Sequence, residues 1–159
     1  MGVGASVGAM MNTTVSRRFL VLAVSVIGAA WSQLAQADTF KFPLTGVECV
    51  PPVATNGTGE ADVTYDPESL VVTWNITYSG LSSAVTMAHF HGPAAPGKSG
   101  PVVVWLTQRG DTPGNPIRGQ TTLTSEQALQ LTAGDWYVNL HTQSYPGCEL
   151  RGQVTPSNS

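Results

Sequence analysis

Residues 134–155 read GDWYVNLHTQSYPGCELRGQVT, and the fold turns on how this stretch alternates. In a β-strand successive side chains point to opposite faces. Trp136, Val138 and Leu140 then form one apolar face, while Tyr137, Asn139 and His141 form the other. Tyr145-Pro146-Gly147 supplies a turn. A second strand follows, with Cys148, Leu150 and Val154 inward and Glu149, Arg151 and Gln153 outward. The pair predicts strands over 135–142 and 148–155. On that reading Glu149 and Arg151 are an exposed pair, with Gly152 easing a bend.

The same grammar runs upstream. Thr39–Leu44 alternates Phe40 and Phe42 with polar neighbours. Val47–Gly59 carries Pro51-Pro52 and Asn56-Gly57 and reads as an irregular crossing. Glu60–Tyr65 and Leu70–Tyr78 form a hairpin around Asp66-Pro67. Ala84–His91 is a strand stopped by Gly92-Pro93, and Ala94–Gly100 is a loop. Pro101–Thr107 (PVVVWLT) reads as a buried strand, and Arg109–Pro116 as a loop. One short helix is expected near 124–131, with Thr124 as N-cap, Gln127 closing a capping box, Leu129 making the apolar contact and Gly134 as the stop. Short strands with Gly/Pro/Asn punctuation predict an all-β, antiparallel, Greek-key-like sandwich or barrel.

The chain has 159 residues, enough for one domain. Its N-terminus reads as a leader. Arg17 and Arg18 precede an uncharged apolar run, Leu20–Ala30, too short to span a bilayer, and Ala35-Gln36-Ala37 gives a cleavage pattern. Residues 1–37 are therefore expected to be a signal peptide and 38–159 the exported domain, periplasmic or secreted. Ser16-Arg17-Arg18-Phe19-Leu20 also resembles a twin-arginine signal that lacks the usual spacer residue. Beyond residue 37 the chain carries five basic against ten acidic residues, a net charge of −5. That balance, without a basic cluster, argues against nucleic acid. No second apolar run offers a membrane anchor in the exported part. An unidentified protein partner is compatible with all of this.

Two cysteines, Cys49 and Cys148, in an exported chain read as a disulfide closing a loop of roughly a hundred residues. Two free thiols, or thiolate ligands for a metal, are the alternatives at this point.

Three histidines remain, and all fall on polar faces. Met87, His89 and His91 share one side of their strand, and His141 lies on the polar side of its own. His-x-His on a strand sets two imidazoles about 6–7 Å apart at Cα on one side. That spacing suits one copper or zinc ion, with a third imidazole from another strand. Met87 would add a soft ligand and Glu149 a hard one. The bland alternative is a hydrogen-bonded polar face. Trp74, Trp105 and Trp136 are expected to be packing residues. No serine–histidine–acid context and no phosphate-cradling loop is legible, so an enzyme is not favoured.

Several segments together resemble the chordin-type (CHRD) domain. They are Leu44-Thr45-Gly46 with Pro51-Pro52, Tyr78-Ser79-Gly80-Leu81, Ala88-His89-Phe90-His91-Gly92-Pro93-Ala94, Gly100-Pro101-Val102-Val103, and the two strands first quoted. The resemblance covers nearly all of 38–159. It implies a β-domain of an extracellular binding type, although growth-factor binding as in chordin does not carry over to a chain with this leader. The family usually has Gly at the position of Cys148 and an aliphatic residue near Cys49, and two matched departures to cysteine support their pairing. The His-x-His strand is also similar to the copper-ligand strand of the copper–zinc superoxide dismutase barrel. A dinuclear site of that kind needs about twice as many histidines as this chain has. Three function readings follow: a non-catalytic binding protein with a three-histidine copper or zinc site, a metal-free structural or interaction module of the envelope or extracellular space, and a mononuclear metalloenzyme handling superoxide or hydrolysis.

Overall fold

The computed structural model describes residues 1–4, 36–107 and 110–155. Contacts divide the chain into Met1–Gln33 and Leu34–Ser159, and the second unit holds all the described strands. The expected signal segment lies almost wholly outside the described residues, as does Arg109. Among the described residues no helix is long and apolar enough to cross a membrane.

Eight strands form one antiparallel sheet: β1 (Asp38–Thr45), β2 (Thr58–Asp66), β3 (Val71–Ser79), β4 (Val85–His91), β5 (Val102–Trp105), β6 (Ile117–Thr122), β7 (Tyr137–Thr142) and β8 (Leu150–Gln153). Their spatial order is β5-β4-β7-β8-β1-β2-β3-β6. One helix, α1 (Ser125–Thr132), precedes β7. The fold is thus all-β and antiparallel with one short helix, as the alternation predicted, and the sheet curls into a half-barrel.

The alternation decides what the curl encloses. Phe40, Phe42 and Leu44 of β1, Val63 of β2, Val72, Trp74 and Ile76 of β3, Phe90 of β4 and Leu140 of β7 all reach one buried cluster. The curl brings the two edge strands towards each other. Trp74 Nε1 on β3 donates to the Leu106 carbonyl just past β5 at 3.1 Å. A cleft of about 500 Å³ remains between β5 and β6. Gly119 on β6 has no side chain because a Cβ there would collide with the Trp74 ring.

Four local expectations change. Pro101–Thr107 is not a buried strand: β5 spans only Val102–Trp105, sits at the sheet edge and is half-exposed, because β4 covers it on one side alone. Residues 117–122, to which the sequence assigns nothing, form the other edge, β6, holding to the core through Ile117. The capping box of Thr124 and Gln127 is present, but Leu129 is 71% exposed and the helix packs through Ala128 and Leu131. Glu149 and Arg151 are not an exposed pair, since both are buried and the two do not touch each other as an ion pair. Gly134, at φ 80°, ends the helix as expected.

Candidate metal centre

β4 and β7 are neighbours in register, with Met87 opposite His141, His89 opposite Asn139 and His91 opposite Tyr137. β8 continues the face, with Arg151 opposite Asn139. The polar side chains of three strands therefore meet on one surface, outside the curled core. Loops then cover it. The segment between β4 and β5 folds back over this face, held by Arg151 Nη2 donating to the Lys98 carbonyl at 2.7 Å and by Gln153 Nε2 donating to Ala94 O at 3.0 Å. The β7–β8 turn closes another side. As a result β7 is buried on both faces although its sequence alternates apolar and polar.

His89, His91 and His141 gather beneath these loops, each offering one ring nitrogen within 4.8 Å of the others. Ring centroids are 5.5 Å apart for His89 and His91, and 5.1 Å for His89 and His141. His91 Nδ1 lies 3.0 Å from the Gly100 carbonyl, and His141 Nδ1 lies 2.8 Å from that of Pro146. A carbonyl only accepts, so each Nδ1 carries the proton and each Nε2 keeps its lone pair. His91 Nε2 has no other partner, and His141 Nε2 has only the Asn139 amide at 3.4 Å. Imidazoles oriented by a backbone carbonyl in this way are typical of metal ligands.

His89 is the odd member. It is 3% exposed, and neither ring nitrogen has a hydrogen-bond partner. The Trp105 ring stands edge-on to it at 4.1 Å. Trp105 is thus a wall of the site as well as packing, a role set by the His89–Trp105 register that no local pattern announces. Among the described residues nothing pairs with either nitrogen, and a buried imidazole left so calls for an explanation, of which a bound ion is one.

Met87 is half-buried on the same face. Glu149 is elsewhere. Its carboxylate turns away to Thr55, Ser82 and Thr142 and is not among the gathered ligand atoms. Cys49 and Cys148 form a disulfide, which removes them as thiolate ligands.

Electrostatics suits a cation. Burial, then the charges of His141 and His91, push His89 down to about 4. Burial also lowers His91 and His141, against the raising effect of their carbonyl partners. All three imidazoles are neutral at neutral pH, the form that binds metal. For the metal-free protein this carries a sign. An unfolded histidine takes its proton near pH 6.5, while the folded site resists it until lower pH, so between those values the unfolded state holds more protons. Stability is full above pH 6.5 and is lost as pH falls towards 4. Urea midpoints should drop from pH 7.5 to pH 5, and the drop should shrink in His89→Gln. Midpoints unchanged over that range would contradict the neutral buried triad.

An ion bound at about 2.0–2.1 Å from each nitrogen would draw the three nitrogens to roughly 3.3 Å apart. Small ring rotations would therefore accompany loading. Beside the triad a cavity of about 170 Å³ touches His91 and His141 but not His89, so any fourth position opens on that side.

Comparison with known proteins gives one match. The family model of the CHRD domain matches residues 40–154, most of the chain. No curated protein and no solved structure matches.

Proposed function

This chain belongs to the CHRD-domain family, and from that premise we propose that it is an exported, non-catalytic binding protein whose His89, His91 and His141 hold one copper or zinc ion. The family points to an extracellular or envelope module, and the disulfide fits an oxidising compartment. The observation that carries the metal reading is the gathering of three ring nitrogens within 4.8 Å around a buried His89 with no hydrogen-bond partner. Three neutral imidazoles suit copper and zinc alike, and Met87, opposite His141, would favour copper(I).

The test is calorimetric titration of the protein with copper and with zinc, beside the His89→Ala/His91→Ala variant. One ion per chain is expected, with affinity on the order of micromolar or tighter, abolished in the variant. The variant's fold is checked by circular dichroism. Equal and negligible heats from both proteins would retire the reading. The histidines would then be architecture, and the metal-free interaction module would stand in its place.

A further inference from the structure

Arg151 on β8 is 2% exposed. Its guanidinium lies 3.6 Å above the Tyr137 ring centroid, and Nη2 donates to Lys98 O. Nε has no partner. The ion pairs among the described residues are those of Lys41 with Glu60 and Asp62, so no carboxylate neutralises Arg151 in contact. The exposed Glu48 acts on it only from a distance. A buried guanidinium stays charged, and leaving it without a counter-charge is costly.

The same side chain lines the 170 Å³ cavity next to the histidines, together with Tyr137, Asn139, His91 and His141. Asn139 stands opposite Arg151 in register, and its Oδ1 is also buried without a partner. Its amide nitrogen is already engaged with the Gly147 carbonyl at 3.3 Å. Arg151, Asn139, His91 and His141 thus line one cavity, and just beneath its surface Arg151 Nε and Asn139 Oδ1 are left without partners, within reach of a ligand after a small side-chain rotation. A planar guanidinium matches a planar oxyanion.

We propose that this cavity binds a small planar monoanion of the carboxylate type, hydrogencarbonate or a short carboxylate, held by Arg151 and completing the coordination of the triad's ion. The inference rests on the metal reading and names the class of its fourth ligand. One oxygen accepts from Arg151, and another faces the ion. A hydroxyl, where the anion has one, donates to Asn139 Oδ1. Hydrogencarbonate has that hydroxyl and formate lacks it, so the two anions separate the contribution of Asn139 from that of Arg151.

The experiment first loads the protein with metal and measures stoichiometry, then titrates hydrogencarbonate and formate by calorimetry. Saturable binding of one anion per chain is expected, with hydrogencarbonate the tighter. Arg151→Gln should weaken both by about tenfold or more, because a charge-assisted hydrogen bond is lost. Should that variant fail to fold, Arg151→Lys keeps the charge, loses the planar fork and should still weaken both anions. A loaded protein that shows no saturable anion binding, or an Arg151 variant that binds as tightly, overturns this inference alone. A protein that takes up no metal overturns it together with the reading it rests on.

Discussion

Removing the Cys49–Cys148 bond is expected to cost about 4–5 kcal/mol of folding free energy, because its 99-residue separation closes most of the domain into one loop. In the chain-entropy picture that restriction acts on the unfolded state and grows with the logarithm of loop length. The native geometry accepts the bridge, with Cα atoms 6.0 Å apart and Cys49 buried at 1% exposure. Local hydrogen bonds hold one end independently, since Cys49 N and Val53 N both donate to the Gly46 carbonyl. The other end is the β7–β8 turn, whose Pro146 and Gly147 carbonyls face His141 and Asn139. The Cys49→Ala/Cys148→Ala variant should therefore unfold at clearly lower urea concentration, and its metal affinity should fall by about 10–100-fold as the His141 orientation loosens. An unchanged urea midpoint would show that the crossing and the turn hold each other without the bond. Lower stability with undiminished metal uptake would show that the turn keeps its shape alone.

Much of the site was legible because strand alternation is a local property. Trp136, Val138 and Leu140 do face the core, and Tyr137, Asn139 and His141 do face away from it. His-x-His then places two imidazoles on one side without reference to the rest of the chain. The pairing of β4 with β7, which brings His141 to the same side, is a property of the sheet order and of neither strand alone. What stayed hidden depends on distant residues. Strand β6, IRGQTT, shows one strongly apolar residue because an edge strand needs little more than Ile117 to hold it. Gly119 within it answers to Trp74, 45 positions earlier. The polar face reads as exposed because each strand alone would leave it so. It becomes buried only when the loop through Lys98 and Gly100 folds over it. Glu149 misleads for a related reason. It precedes β8 proper, so the alternation extrapolated from Leu150 does not govern its side chain.

Glu149 carries the second large effect. Its Oε1 accepts from Thr55 Oγ1 at 2.7 Å and from Ser82 N at 2.8 Å. Oε2 accepts from Ser82 Oγ at 2.7 Å and from Thr142 Oγ1 at 2.6 Å. One fully buried carboxylate thus joins the β1–β2 crossing, the β3–β4 connection and the end of β7. Burial raises its pKa, but the hydrogen bonds from Thr142, Ser82 and Thr55 outweigh that and hold it below the usual carboxylate range. Glu149→Ala leaves four donors unmatched and should cost on the order of 3–5 kcal/mol in urea unfolding. Glu149→Gln keeps the shape but turns an amide N–H₂ towards donors, and should cost about 2–3 kcal/mol. The sign with pH follows from the lowered pKa. The carboxylate's contribution is complete above the unfolded value of about 4.3 and disappears as pH falls through the folded one. The gap between wild type and Glu149→Gln should therefore be widest at neutral pH and close in acid. Metal affinity of Glu149→Gln should stay within a few-fold of wild type, because the carboxylate points away from the histidines. Loss of metal uptake at undiminished stability would instead make Glu149 the hard ligand that its position in the sequence first implied.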